Sequence, residues 1–539
     1  MLHKTVLVPI PEKKVIFRKA PNGTIYVYFT IKAYRNKHGK PTSEVVIIGK
    51  KDPASGQLIP NTRYYEIFPS NQTAKPTGTA PLSNLPNQIQ ICGTAITIKE
   101  IANQVGLLNV LQNCFSESWE QILATASYIL CEGNVMMYID DWFEETNVNY
   151  VDQMTDVDCS YLFASITEDE RRQFFKEWIQ YRGEQEYLAY DVTSFSTYSQ
   201  YIDIVEWGYN RDNDNLPQIN LGMFYGISSN MPVYYHTYSG SIPDKSCLEF
   251  MMLNAKDLGI HNTSFVFDCG FVTEDNFKFM YENDISFISL MPSQRKDAMK
   301  IIDKAKYNIE KIANKLTDSH VYGVQYPISL YGREITVHVF FDQKRRYLET
   351  EEICAYIEKL EEELKQKSKS KQITKKFKEY FIINEQSKQS FTYKLDNEKI
   401  DEKLSRAGFF ILLTHGKKLS CDEALKIYRE KDGIEKSFHQ FKNPLDFKRM
   451  RTHWKKTMEG KMFVGFIALV LRCYMMNMLK SDPLTKKLTF NKVLIELKKI
   501  KSITMSDNTK VLMPLTKLQK NVLATLKIEE EIFDDVKCI

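Results

Sequence analysis

The chain has 539 residues, 43% of them hydrophobic and 26% charged, with a formal net charge of +4. That length exceeds what one core usually holds, so two to four domains are expected, and the composition excludes a chain disordered throughout. Ten cysteines with no Cys-x-x-Cys pair argue against a disulfide framework or a zinc knuckle and suit a reducing cytoplasm.

The charge is unevenly spread. Residues 1–51 hold eleven Lys or Arg against two acidic residues, a balance of +9, which is the footprint of phosphate-backbone binding. The opening MLHKTVLVPIPEKK is no secretory signal, because its apolar stretch is short and ends in Pro-Glu-Lys-Lys. VIFRKA, TIYVYFTIKAYR and SEVVIIGK alternate apolar and polar residues, and Asn22-Gly23 and Asn36-Lys37-His38-Gly39 punctuate them. That pattern predicts a small antiparallel meander. Tyr26, Tyr28 and Tyr34 sit among Lys and Arg, which could suit nucleic acid, but tyrosines in strands are more often core or edge packing, so no contacts are assigned to them. Residues 52–95, rich in Pro, Gly, Asn, Ser and Thr, read as loop or linker. Residues 1–95 are therefore expected to form a basic, β-rich N-terminal DNA-binding domain with its linker.

From Thr97 to about Tyr181 the periodicity is helical, giving a helical region over 96–182. IKEIANQVGLLNVL reads as an amphipathic helix broken at Gly106, because no second helix of exposed polar residues follows to complete a helix-turn-helix.

Residues 183–292 carry the pattern β-β-β-α-β-α-β. YLAYDVTSFS is a strand running into Asp191; QINLGMFYGIS and MPVYYHTYSG are two more, with Ser229-Asn230 at the turn. DKSCLEFMMLNAKDLG has helical spacing and ends at Gly259. TSFVFDCG is a buried strand ending at Asp268, TEDNFKFMYEN a helix capped by Thr273, and ISFISLMP the last strand. Ribonuclease-H-like nucleases use this order, which predicts a mixed sheet flanked by helices.

Residues 293–405 read as an insertion: a charged helical stretch, a hairpin VQYPISLYG-R-EITVHVFFD turning near Gly332, and a charged helix ending in a Lys/Ser-rich tail. Over 406–485, AGFFILLTH is a strand, Cys421 to Phe441 an amphipathic helix carrying Glu435, and Lys461–Leu479 a further helix. The run Met462–Leu471 is too short to span a bilayer and reads as buried, so no membrane is expected. Residues 486–539 form a Lys-rich C-terminal region without a clear pattern.

Three carboxylates stand out. Asp191 and Asp268 follow two strands of one predicted sheet, and Glu435 sits on a later helix able to pack beside them. Carboxylates are the hard ligands that Mg2+ takes, and a pair of such ions can clamp a phosphate for in-line displacement. Tyr428, Glu435 and Lys442 are seven residues apart, near one helical face, with Lys431 one turn before Glu435. Beyond them Lys442, Lys448, Arg449, Arg451, Lys455 and Lys456 face a single acid, Asp446.

On these residues the chain resembles DDE transposases of bacterial insertion sequences, in the branch with a Tyr-x2-Arg-x3-Glu-x6-Lys signature. Here the signature reads Tyr428-x2-Lys431-x3-Glu435-x6-Lys442; Lys431 replaces the Arg and lacks its bidentate fork. YDVTSFS supplies the first aspartate and FVFDCGF the second, and the family often carries a β-rich insertion before the Glu helix. The resemblance implies cut-and-paste transposition. Asp191, Asp268 and Glu435 are then catalytic metal ligands for two Mg2+ ions, with Mn2+ able to substitute. Tyr428, Lys431, Lys442, Lys448, Arg449 and Arg451 are then DNA contacts. It further implies double-stranded DNA partners (terminal inverted repeats and target), a homodimer in the synaptic complex, and a bacterial cytoplasmic, nucleoid-associated location. The alternatives are a ribonuclease-H-like nuclease without strand transfer and a non-catalytic DNA-binding relic.

Overall fold

Alternation of apolar and polar residues builds β1 (Val15–Lys19), β2 (Ile25–Arg35), β3 (Pro41–Lys51) and β4 (Leu58–Pro60) into one antiparallel sheet in that order. Val8, Val27, Ile48, Leu58 and Tyr64 form its small core. The computed structural model describes residues 7–21, 23–35, 40–69, 86–183, 187–212, 214–261, 263–317, 320–366, 374–387 and 390–536. The chain divides into two compact units, Met1–Ser83 and Asn84–Ile539. Asn22 and 36–39, read as turns, and most of the Lys/Ser-rich tail lie outside the described residues. In the first unit, Arg18 lies over the Tyr28 ring and Tyr34 is exposed rather than packed.

The second unit opens with β5 (Pro86–Ile91). Helices 93–104, 107–114, 119–132, 156–165 and 168–182 follow. Gly106 ends the first of them at φ +76°, where a Cβ would strike the Tyr181 ring. The helix Lys455–Ser481 runs through this unit's core. It is long and apolar enough to cross a membrane, but its most apolar window is 78% buried inside the protein, which marks a core helix.

The large sheet has nine strands. They are β6 (Tyr187–Thr197), β7 (Gln218–Gly226), β8 (Met231–Ser239), β9 (Ser264–Phe267), β10 (Phe287–Met291), β11 (Val321–Leu330), β12 (Arg333–Asp342), β15 (Phe409–His415) and the short β16 (Arg449–Met450). Between β12 and β15, β13 (Phe381–Ser387) and β14 (Ser390–Leu395) form a separate hairpin. The order across the large sheet is β11-β12-β15-β10-β9-β6-β7-β8, with β16 beside β6. β9 runs parallel to both β6 and β10, while β7, β8 and β15 are antiparallel to their neighbours. β7, paired on both sides by β6 and β8, is buried along its whole length.

Two readings change. The hairpin β11–β12, read as part of an insertion, is hydrogen-bonded through β15 into the large sheet. Residues 52–95, read as linker, contribute β4, a helix over Thr62–Ile67 and β5; β5 pairs with β17 (Lys501–Met505), which pairs with β18 (Lys510–Leu512).

Candidate active site

The parallel register of β6 and β9 sets the first two carboxylates. The last ladder pair is Ala189 with Val266. Two residues beyond that pair stand Asp191, inside β6, and Asp268, just past the end of β9, near enough for the Asp268 charge to act on Asp191. Asp191 was expected at a strand end but lies inside β6, because β7 and then β16 continue the ladder to Thr197. Asp268 follows β9 directly and starts a one-turn 3-10 helix.

The third carboxylate arrives on a helix pair. Cys421–Glu430 begins with a Ser420–Glu423 capping box, and Asp432–Lys442 follows. The single helix expected here is broken at Lys431, where the bonds Lys431 N–H to Tyr428 O and Ile434 N–H to Lys431 O tighten the turn. Just past the break Gly433 lies against Tyr225, where a Cβ would come within 2.8 Å of the ring.

The junction delivers Lys431 and Tyr428 to the sheet. The Tyr428 hydroxyl donates to Asp268 Oδ1 at 2.9 Å. Lys431, only 3% exposed, donates from Nζ to Glu435 Oε1 at 3.1 Å. Asp191 Oδ1 accepts the Val192 N–H at 2.8 Å and lies 3.8 Å from Arg211 Nη1. Arg211 also donates to Asp244 at 2.5 Å. A cavity of about 760 Å³ opens beside Asp191 and Asp268, lined also by Tyr209, Arg211, Gln218 and Lys245.

The charges are coupled. Burial pushes the Asp191 carboxyl up, and Asp268 adds to this, although the Lys431 and Arg211 charges oppose it. Burial works against the Lys431 ammonium, but Asp191, Asp268 and Glu435 together outweigh it and hold its pKa above the ordinary lysine value. Burial, with Asp268 nearby, raises the Tyr428 phenol, which stays a neutral donor.

Among the described residues no group of three or more His, Cys, Asp or Glu side chains is placed so that it could hold a metal ion. The chemistry of the three side chains is that of hard-ion ligands, and Asp191, Asp268 and Glu435 all act on one cation, the Lys431 ammonium. Glu435 is the exposed member, at 58% of its side chain.

The expected DNA contacts are placed as follows. Tyr428 and Lys431 are turned onto the carboxylates. Lys442 donates to Asp212 at 2.8 Å, Arg449 pairs with Asp214, and Arg451 pairs with Asp446 at 2.6 Å. Lys448 is exposed. Sequence reasoning missed Arg211, Asp212, Asp214 and Asp244, because polar loop residues carry no periodic signal for what they reach.

The sequence pattern of the Transposase DDE domain family matches residues 182–471, which covers β6 to the core helix. The chain belongs to that family. No curated protein matches it. The solved structure of a piggyBac transposase synaptic complex with hairpin DNA is similar at 9% identity and a TM-score of 0.32, over 88% of this chain and 80% of that chain. A likeness at that level carries no argument about this chain.

Proposed function

We propose that this transposase performs cut-and-paste transposition of a bacterial insertion sequence through a ribonuclease-H-like catalytic domain of the Tyr-Arg-Glu-Lys branch. The observation that supports the reading is that Asp191 and Asp268, beyond the last pair of the parallel β6–β9 ladder, and Glu435 all act on the Lys431 ammonium. The order β8-β7-β6-β9-β10, three antiparallel strands followed by two parallel ones, supports the ribonuclease-H-like assignment.

Asp191, Asp268 and Glu435 are the residues that would hold two divalent ions, Mg2+ with Mn2+ as substitute. Bound there, such ions supply an activated oxygen nucleophile and stabilise the leaving oxygen at a DNA phosphate. The protein's own residues do the rest. β6 and β9 fix two carboxylates on a rigid sheet. The Tyr428 hydroxyl orients Asp268. Lys431 neutralises the buried charge before DNA arrives. Lys442, Lys448, Arg449 and Arg451 contact phosphates and set the register of the duplex. The basic N-terminal unit binds the terminal inverted repeats; a homodimer brings two ends together, in a cytoplasmic, nucleoid-associated setting.

The test is an end-cleavage and strand-transfer assay on DNA carrying the element's own ends. Metal-dependent nicking followed by joining of a pre-cut 3′ end is expected. Nicking without joining would leave a plain nuclease, and DNA binding without nicking would leave a relic.

A further inference from the structure

The connection between β6 and β7 contributes Tyr209 and Arg211 to the lining of the cavity beside Asp191 and Asp268. Among the described residues of 207–217, none is buried: Trp207 is 66% exposed and Tyr209 83%. The segment is therefore held by polar contacts rather than by apolar packing. Arg211 reaches Asp191 and Asp244. Asp212 takes Lys442, and Asp214 takes Arg449 and the Ser196 hydroxyl. Asn210 donates to Ser196 at 3.0 Å, and Gln218 donates to the Tyr209 carbonyl at 3.0 Å.

The pairing has a pattern. Neighbouring residues of the segment pair with groups of opposite charge around the site. Arg211 places a cation on a carboxylate of the candidate metal site. Asp212 and Asp214 place carboxylates on two of the cations assigned to DNA. A carboxylate and a phosphodiester are both oxyanions that Lys and Arg bind by charge-assisted hydrogen bonds, so the two compete for the same donors. The arrangement mimics, within one chain, both the cation and the phosphates of a loaded site.

We propose that the described part of the β6–β7 connection, residues 207–212 and 214–217, is an internal stand-in for DNA. It occupies Lys442 and Arg449 in the free protein and gives them up when phosphates of the duplex replace Asp212 and Asp214. This rests on the reading of the chain as a DNA transposase. Release of the segment also frees Asp191 from Arg211, which couples DNA entry to the readiness of the carboxylates for a divalent ion.

The test compares full-length wild-type protein with the double variant Asp212→Asn and Asp214→Asn, in binding to a duplex oligonucleotide at low salt. Asn keeps the size and an acceptor but not the charge. A control, Glu358→Gln with Glu362→Gln, makes the same charge change on an exposed helix face. The segment variant is expected to bind roughly three- to tenfold tighter than the control, with the gain shrinking as salt rises. An equal gain in variant and control overturns the proposal and leaves the transposase reading standing. No DNA binding by any of the proteins overturns both. Should Lys442, nearly buried, fold poorly without Asp212, Asp214→Asn alone against a single-site control answers the same question. Amide hydrogen exchange gives a second readout: in the free protein the variant should exchange faster over 207–217 and unchanged over β6, and unchanged exchange over 207–217 contradicts the proposal.

Discussion

The two strand-borne carboxylates and the helix-borne one live in different surroundings. Asp191 lies inside β6 and Asp268 directly follows the parallel strand β9, and the Asp191 side chain is only 15% exposed. Glu435 is 58% exposed and is held by one partner, Lys431, beside a break between two helices. The sheet offers a preformed half of a site, and the helix junction offers an adjustable half. The difference teaches that the rigid elements set the position of the chemistry while the junction sets its charge balance, since Lys431 answers to all three acids.

The largest effect tests the shared role of both halves. Asp191→Asn, Asp268→Asn and Glu435→Gln should each lower metal-dependent DNA cleavage by roughly a thousandfold or more while DNA binding stays near wild type. Normal cleavage by any of them removes that residue from the site. The variants should differ in stability. The raised pKa of Asp191 means that its stabilising contribution is present below the ordinary carboxylate value and lost as pH rises through the folded value. At neutral pH Asp191→Asn should therefore melt no lower than wild type. A clearly lower melting temperature would show that the ionised carboxylate is net favourable there.

Next in size is the charge balance. Lys431→Met leaves buried carboxylate charge without its cation, and should cost on the order of 2–4 kcal/mol in urea unfolding at neutral pH. Mn2+ should recover part of that loss, because the same carboxylates then share a different cation. The raised pKa of Lys431 places its own contribution below the ordinary lysine value, lost only as pH rises through the higher folded value, so the wild-type advantage should persist through neutral pH. A variant as stable as wild type, with no response to Mn2+, would break the account of Lys431.

A smaller effect belongs to Tyr428. Tyr428→Phe removes one hydrogen bond to Asp268, so cleavage should fall by about three- to tenfold with little change in melting temperature. The smallest concerns the N-terminal unit. Replacing Lys13, Lys14, Arg18 and Lys19 by Ser should flatten the salt dependence of DNA binding, and an unchanged slope would place these residues away from DNA.

The sheet was largely legible because its strands are continuous apolar runs or clean alternations, and turns such as Asn230 and Gly332 have positive φ where the sequence offers Asn or Gly. The spacing of Tyr428, Lys431, Glu435 and Lys442 was legible as a helical face. The break at Lys431 was not, nor was the approach of Gly433 to Tyr225, a contact between residues about two hundred positions apart. The pairing of β5 with β17 was hidden for the same reason: PNQIQI looks like linker until a strand from the far end of the chain completes it. The basic stretch after Glu435 was read as free for DNA, yet Lys442, Arg449 and Arg451 have acidic partners, two of them on the β6–β7 connection that sequence alone could not place.

The most direct measurement is a crystal of the protein soaked with Mn2+, its ion located by anomalous scattering. The account predicts a manganese peak ligated by Asp191 and Asp268, with the Lys431 ammonium displaced and Glu435 turned toward the ion. A peak elsewhere, or one that persists unchanged in Asp191→Asn, would contradict it.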